Sequence, residues 1–113
     1  MQAYSYQEQL REFQPVDLVD DDNLALHEIP RYFKSIYVPD DRFMLIGGLE
    51  RHTSQSSAQC FLIDERARIS RIQDMDIGRQ YFTVCLDEAK QNQDNKTYVY
   101  VISGFNHDFQ ILN

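Results

Sequence analysis

Few residue types in this 113-residue chain could do chemistry, and each has a structural use that competes with it. Gly47 and Gly48 close the apolar run Arg-Phe-Met-Leu-Ile-Gly-Gly that starts at Arg42. A phosphate-cradling loop needs more glycines, a lysine and a helix start just after it. Leu49, Glu50 and Arg51 follow instead. The pair therefore reads as a place where a strand leaves a crowded sheet, using glycine's access to positive φ. Asp17, Asp20, Asp21 and Asp22 carry the hard oxygens that calcium takes, but an EF-hand loop also needs a central glycine and a terminal glutamate. The run DDDNLALHE has no such glycine, so a hairpin turn is expected there. His27, His52 and His107 lack the close partners of a zinc site and read as loop or surface histidines. Cys60 and Cys85 lie in apolar, strand-like segments and read as reduced thiols, with a disulfide or redox pair as the alternative. No metal, cofactor or catalytic residue is assigned.

Arg31 and Arg79 each precede a strand-like segment. The fixed fork of donors on Arg suits main-chain carbonyls, so a structural tie is favoured over ligand binding. Asn95-Lys-Thr97 matches a glycosylation acceptor, but the N-terminal stretch MQAYSYQEQLREF does not read as a secretory signal. A cytoplasmic protein is expected.

The balance of the chain narrows the partners. Net charge is −7, against the clustered Lys and Arg that nucleic acid or an anionic membrane surface requires. No apolar stretch is long enough to span a bilayer. With 42% hydrophobic residues, the composition is that of one small globular domain. Seven Tyr and seven Phe favour strand.

An internal repeat gives the elements their order. Residues 29–38 line up with residues 77–86 at an offset of 48, which matches Arg31 to Arg79, Phe33 to Tyr81 and Ile36 to Val84. The apolar run ending at Gly48 returns as Tyr-Val-Tyr-Val-Ile-Ser-Gly, ending at Gly104, an offset of 56. The extra eight residues are placed in one hairpin tip, where length costs little. Strands are expected over residues 32–38, 42–47, 58–63 and 68–73, then over 80–86, 98–103 and 109–112. Upstream, 14–19 and 24–28 read as two more. Residues 1–13 read as a tail or short helix. Even spacing with four strands per unit of about 50 residues predicts an all-β meander of the propeller-blade type.

Leu45-Ile-Gly-Gly48, Phe61-Leu-Ile-Asp64, Ile69 with Ile72, and Met75 with Arg79 together resemble the kelch repeat. In that family a glycine doublet ends the second strand of a four-stranded blade, and Met and Arg precede the next first strand. Ile69 stands where the family usually has Trp, and the second doublet is Ser103-Gly104. The resemblance implies a partial kelch-type β-propeller over 14–113. Residues 14–30 would end one blade, 31–75 would form a complete blade, and 76–113 would start the next. Gly47, Gly48, Ile69, Met75, Arg79, Ser103 and Gly104 would be its structural motif.

The resemblance also implies a non-enzymatic adaptor or scaffold that binds protein partners through loops at one blade end. The family leaves open an association with the cytoskeleton. Alternate loops of a meander share an end, which groups Arg51, His52, Ser54, Gln55 and Ser56 with Asp76 and, from the next unit, Asn106 and His107. Two alternatives stand beside this reading. One is a structural piece of a larger propeller with no binding face of its own. The other is an outlying enzyme of the kelch-like oxidase type, with a galactose-oxidase-like fold. Strands at either end would need further blades or self-association to cover their edges.

Overall fold

The computed structural model describes residues 3–7, 12–20, 28–88, 93, 96–106 and 108–112. Among these it is all-β. The strands are β1 (Ala3–Gln7), β2 (Glu12–Val16), β3 (Val19–Asp20), β4 (Lys34–Val38), β5 (Arg42–Leu49), β6 (Ser56–Ile63), β7 (Arg68–Ile72), β8 (Thr83–Asp87) and β9 (Tyr98–Ile102). β4 to β7 form an antiparallel meander, and the two-residue β3 adds a parallel pairing on the outer edge of β7. β1–β2 and β8–β9 are separate antiparallel hairpins.

Consecutive apolar residues in β5 follow from burial on both sheet faces. Leu45 belongs to a core with Ile29, Phe61 and Ile69, on which Phe33 and Ile63 pack. Its neighbour Ile46 points the other way, into a second core with Cys60 and Phe82. Ile36, Met44, Ile72 and Met75 from the sheet side, and Val84, Val99 and Val101 from the β8–β9 hairpin, pack on this second core. The hairpin thus lies face-on against the sheet, with β8 beside β4. Full burial of each Ile or Phe stabilises this arrangement by about 1.5–3 kcal/mol.

The turns carry their own chemistry. Asp40 and Asp41 take positive φ between β4 and β5, which Asp tolerates. Tyr37 donates its hydroxyl to Asp41 at 2.7 Å, and this bond to a carboxylate pushes the phenol pKa up. Between β6 and β7, Asp64 accepts the backbone N–H groups of Arg66 (2.9 Å) and Arg68 (3.0 Å). Those two donors hold its pKa below the usual carboxylate range.

Several expectations need correction. The repeat registers at 49 residues, not 48. Lys34 pairs with Ile46 as Thr83 pairs with Ile102, so the first strands lie 49 apart and the second strands 56 apart. The difference in the hairpin tip is therefore seven residues, not eight. Arg79 then corresponds to Pro30, and Arg31 to Gln80. The hydrogen bonds agree. Arg31 and Leu49 exchange two backbone bonds of 2.8 Å, and Gln80 and Phe105 exchange two of 2.9 Å. Tyr32 and Tyr81 both take positive φ directly after these bridges.

At the N-terminus, Ala3–Gln7 is a strand paired with Glu12–Val16, where a tail or short helix was expected. The expected strand over 14–19 divides into β2 and β3, because Val19 and Asp20 join the outer edge of β7. Over 109–112 only an isolated bridge from Ile111 to Phe105 forms. The expected strand over 24–28 lies, apart from Glu28, outside the described residues, as do the turn residues Asp21 and Asp22.

Candidate functional site

β5 ends at Leu49 and β6 begins at Ser56, so the connection between them emerges at one end of the sheet. This loop is closed by its own bonds. Glu50 N–H donates to the Gln55 carbonyl (2.8 Å), Ser54 N–H donates to the Glu50 carbonyl (3.3 Å), and the Thr53 hydroxyl donates to the Glu50 carboxylate. Ser54 sits at φ 58°, the left-handed region. Arg51 reaches back 22 residues and donates Nε–H to the Ile29 carbonyl at 2.8 Å. That bond ties the loop to the segment entering β4.

A polar cleft of about 350 Å³ opens beside this loop. Glu28, Glu50, Arg51, His52, Thr53 and Gln59 line it. Glu28 also lies 3.7 Å from Arg71, which in turn is 3.1 Å from Asp74. The lining offers two carboxylates, a guanidinium, an imidazole, a hydroxyl and an amide. That set suits recognition of a polar or charged chain by hydrogen bonds. Glu28, Glu50, Thr53 and Gln59 were missed by sequence reasoning. One signal was available for Gln59, which interrupts the apolar run of β6.

The remaining expected loop residues divide. Ser54 and Gln55 are exposed at the loop tip. Ser56 is buried and joins three segments rather than facing a partner. Its carbonyl lies against Gly78, where any Cβ would overlap it, and its hydroxyl donates to the Phe105 carbonyl at 3.4 Å. Asp76 is exposed, on the segment that runs along the start of β6 through bonds from Met75 N–H to the Ala58 carbonyl (2.8 Å) and from Arg79 N–H to the Ser57 carbonyl (3.1 Å). Asn106 is half-buried and caps its own loop. Its Oδ1 accepts the Asp108 and Gln110 N–H groups at 3.0 Å, and its Nδ2 donates to the Gln110 side chain at 2.8 Å. His107 lies outside the described residues. Ser56 thus brings the β5–β6 loop, the β7–β8 link and the segment after β9 together at one end.

The structural motif residues take clear places. Gly47 and Gly48 have φ of 57° and 109°, and Ser103 and Gly104 have 67° and 97°. Gly48 N–H donates to the Arg79 carbonyl at 3.0 Å, which links one repeat to the next. Arg79 donates NηH to the Ser103 carbonyl at 3.0 Å. Ile69 is buried in the core with Phe61, and Met75 packs against the core shared with the hairpin. Arg31 is exposed. Cys60 is buried, which pushes its thiol pKa up, and Cys85 is exposed.

Among the described residues, no group of three or more His, Cys, Asp or Glu is placed to hold a metal ion. No helix among them is long and apolar enough to cross a membrane. No protein-family model matches the chain, and no curated protein sequence matches it.

Proposed function

We propose that the chain is a kelch-type propeller unit that binds a protein partner through the loops at one blade end, without catalysis. β4–β7 would be one complete blade and β8–β9 the first two strands of the next. A single observation carries this reading. Two segments repeat the same backbone device, a two-bond bridge, a positive-φ tyrosine, a short strand, and a second strand with a positive-φ pair at or just past its last paired residues. Blades stacked around an axis are built from such a repeat. The binding face would be the cleft with Arg51 and His52, extended by Gln55, Asp76 and the Asn106 loop. Loops fixed by internal bonds on a rigid sheet are suited to that role. A cytoplasmic adaptor or scaffold is the corresponding biological role.

The test is affinity capture from cytosol with the full chain and with the Arg51→Ala, His52→Ala, Gln55→Ala triple variant. Partners lost in the triple variant, with its fold unchanged by circular dichroism, support the proposal. An identical set of captured proteins, or none from either, refutes it. The second reading, a structural piece with no binding face of its own, is favoured by the aromatic and aliphatic exposure of Tyr37, Phe43, Tyr100 and Ile102. It expects no specific partner in the same assay.

A further inference from the structure

The repeat leaves two faces and two edges unmatched, and they fit each other. In the observed contact, Ile36, Met44 and Ile46 of one repeat face Val84, Val99 and Val101 of the next across the second core. At offsets of 49 and 56, Ile36, Met44 and Ile46 correspond to Cys85, Tyr100 and Ile102. By the same offsets, Val84, Val99 and Val101 correspond to Ser35, Phe43 and Leu45. Cys85, Tyr100 and Ile102 therefore form a forward face with no following repeat among the described residues, and Tyr100 and Ile102 are 47% and 49% exposed. Phe43, with Tyr37 beside it in an edge-on ring contact at 5.4 Å, belongs to the backward face, and the two are 47% and 52% exposed.

The edges tell the same story. β5 has β4 on one side and β6 on the other, whereas among the described strands its counterpart β9 pairs with β8. No third and fourth strand of the β4–β7 kind stands beside β9 among the described residues. The β1–β2 hairpin is a two-stranded antiparallel unit that pairs with no other described strand. Four residues separate β1 from β2, as four separate β6 from β7. On the stacked-repeat reading, β8–β9 is the first half of one blade, and β1–β2 has the loop length of the second half of another.

We infer that copies of this chain associate head to tail: β9 of one copy pairs with β1 of a second, and Tyr100 and Ile102 pack on Tyr37 and Phe43. The two contacts would belong to one junction, in which the second copy's β1–β2 completes the blade that packs on its Phe43 face. The interface is heterologous, using two different surfaces, so it closes into a ring or runs on as a filament. The inference rests on the stacked-repeat reading and is independent of any binding at the loop end. A chain that is monomeric yet captures partners overturns the inference and leaves the proposed function standing.

The experiment is light scattering after size exclusion on the full 113-residue chain, 13.4 kDa, and on Tyr100→Asp and Phe43→Asp. The wild type is expected at a whole multiple of the chain mass, or as a polymer, and each variant as a monomer. An equimolar mixture of the two variants is expected to form dimers and nothing larger, because one intact junction remains and the other brings two aspartates together. Dimers in the mixture also show that both variants are folded. A wild-type monomer at high micromolar concentration overturns the inference. So does an assembly whose mass neither substitution changes, or a mixture that stays monomeric.

Discussion

Replacing Gly48 by alanine probes the device that both repeats share. Gly48 sits at φ 109°, a conformation that residues with a Cβ rarely adopt, and forcing one there costs about 1–3 kcal/mol. The added Cβ would also overlap the Arg31 carbonyl oxygen and come within 2.9 Å of the Phe33 nitrogen. That carbonyl accepts one of the two 2.8 Å bonds of the Arg31–Leu49 bridge, so relief of the overlap loosens the bridge. Each lost bond is worth about 0.5–1.5 kcal/mol. Together the penalty is about 1.5–4.5 kcal/mol, a large part of the roughly 5–15 kcal/mol that holds a domain together. Urea unfolding followed by circular dichroism measures it, and with a slope of about 1–2 kcal/mol/M the midpoint falls by about 1–4 M or the chain is unfolded at the outset. Ser103→Ala is the control. Ser103 already carries a Cβ at φ 67° and is exposed, so it should move the midpoint little. A Gly48→Ala protein within about 1 kcal/mol of wild type would refute the claim that crowding against Arg31 sets this position.

Three further outcomes follow from the packing and the charges. Phe61→Ala removes a side chain with no exposure from the first core and should cost about 3–5 kcal/mol in the same urea assay. Asp64 has its pKa depressed in the fold, so its contribution is present above the unfolded carboxylate value and lost as pH falls through the folded one. The difference in thermal midpoint between wild type and Asp64→Ala should therefore be a few degrees at neutral pH and vanish in strong acid. Cys60 should resist a maleimide until the chain unfolds, since it is buried and its thiol pKa is raised. Cys85 should react promptly in the Phe43→Asp variant and be shielded in assembled wild type, as read by mass spectrometry.

The strands with consecutive apolar residues were the most legible. β5 is the clearest case, because burial on both faces writes the unbroken run Phe43 to Ile46. β5, β6 and β7 all appear within two residues of their expected bounds, although Gln59 interrupts the run of β6 and β7 reads Arg-Ile-Ser-Arg-Ile. Ser103-Gly104 follows the end of β9, but Gly47-Gly48, expected to mark the exit from the sheet, lies inside β5 at a register shift between Ile46 and Gly48, and pairing with β6 resumes at Gly48. Positive φ restricts the residue types at both pairs. An offset of 48 aligns Arg31 with Arg79 but breaks the dipeptide Tyr-Phe, which recurs at 32–33 and 81–82 at the observed offset of 49. That dipeptide follows the bridge in both copies, so it was the better anchor. β1 was hidden because five residues of alternating Tyr among polar neighbours look like any exposed segment until a partner strand is known. In the cleft, Arg51 and His52 could be named from loop position alone. Glu28 and Gln59 could not, since they reach it from separate parts of the fold.

Stacking of one repeat on the next is tested most directly by methyl NOEs in a sample with labelled Ile, Met and Val side chains, using the dispersed Tyr100→Asp variant so that every contact is within one chain. Cross-peaks from Val84, Val99 and Val101 to Ile36, Met44 and Ile46 are predicted, because all six side chains converge on the core of Ile46, Cys60 and Phe82. A folded protein that shows the Ile46 methyls free of any contact with the β8–β9 valines would contradict the stacked repeat and the propeller reading with it.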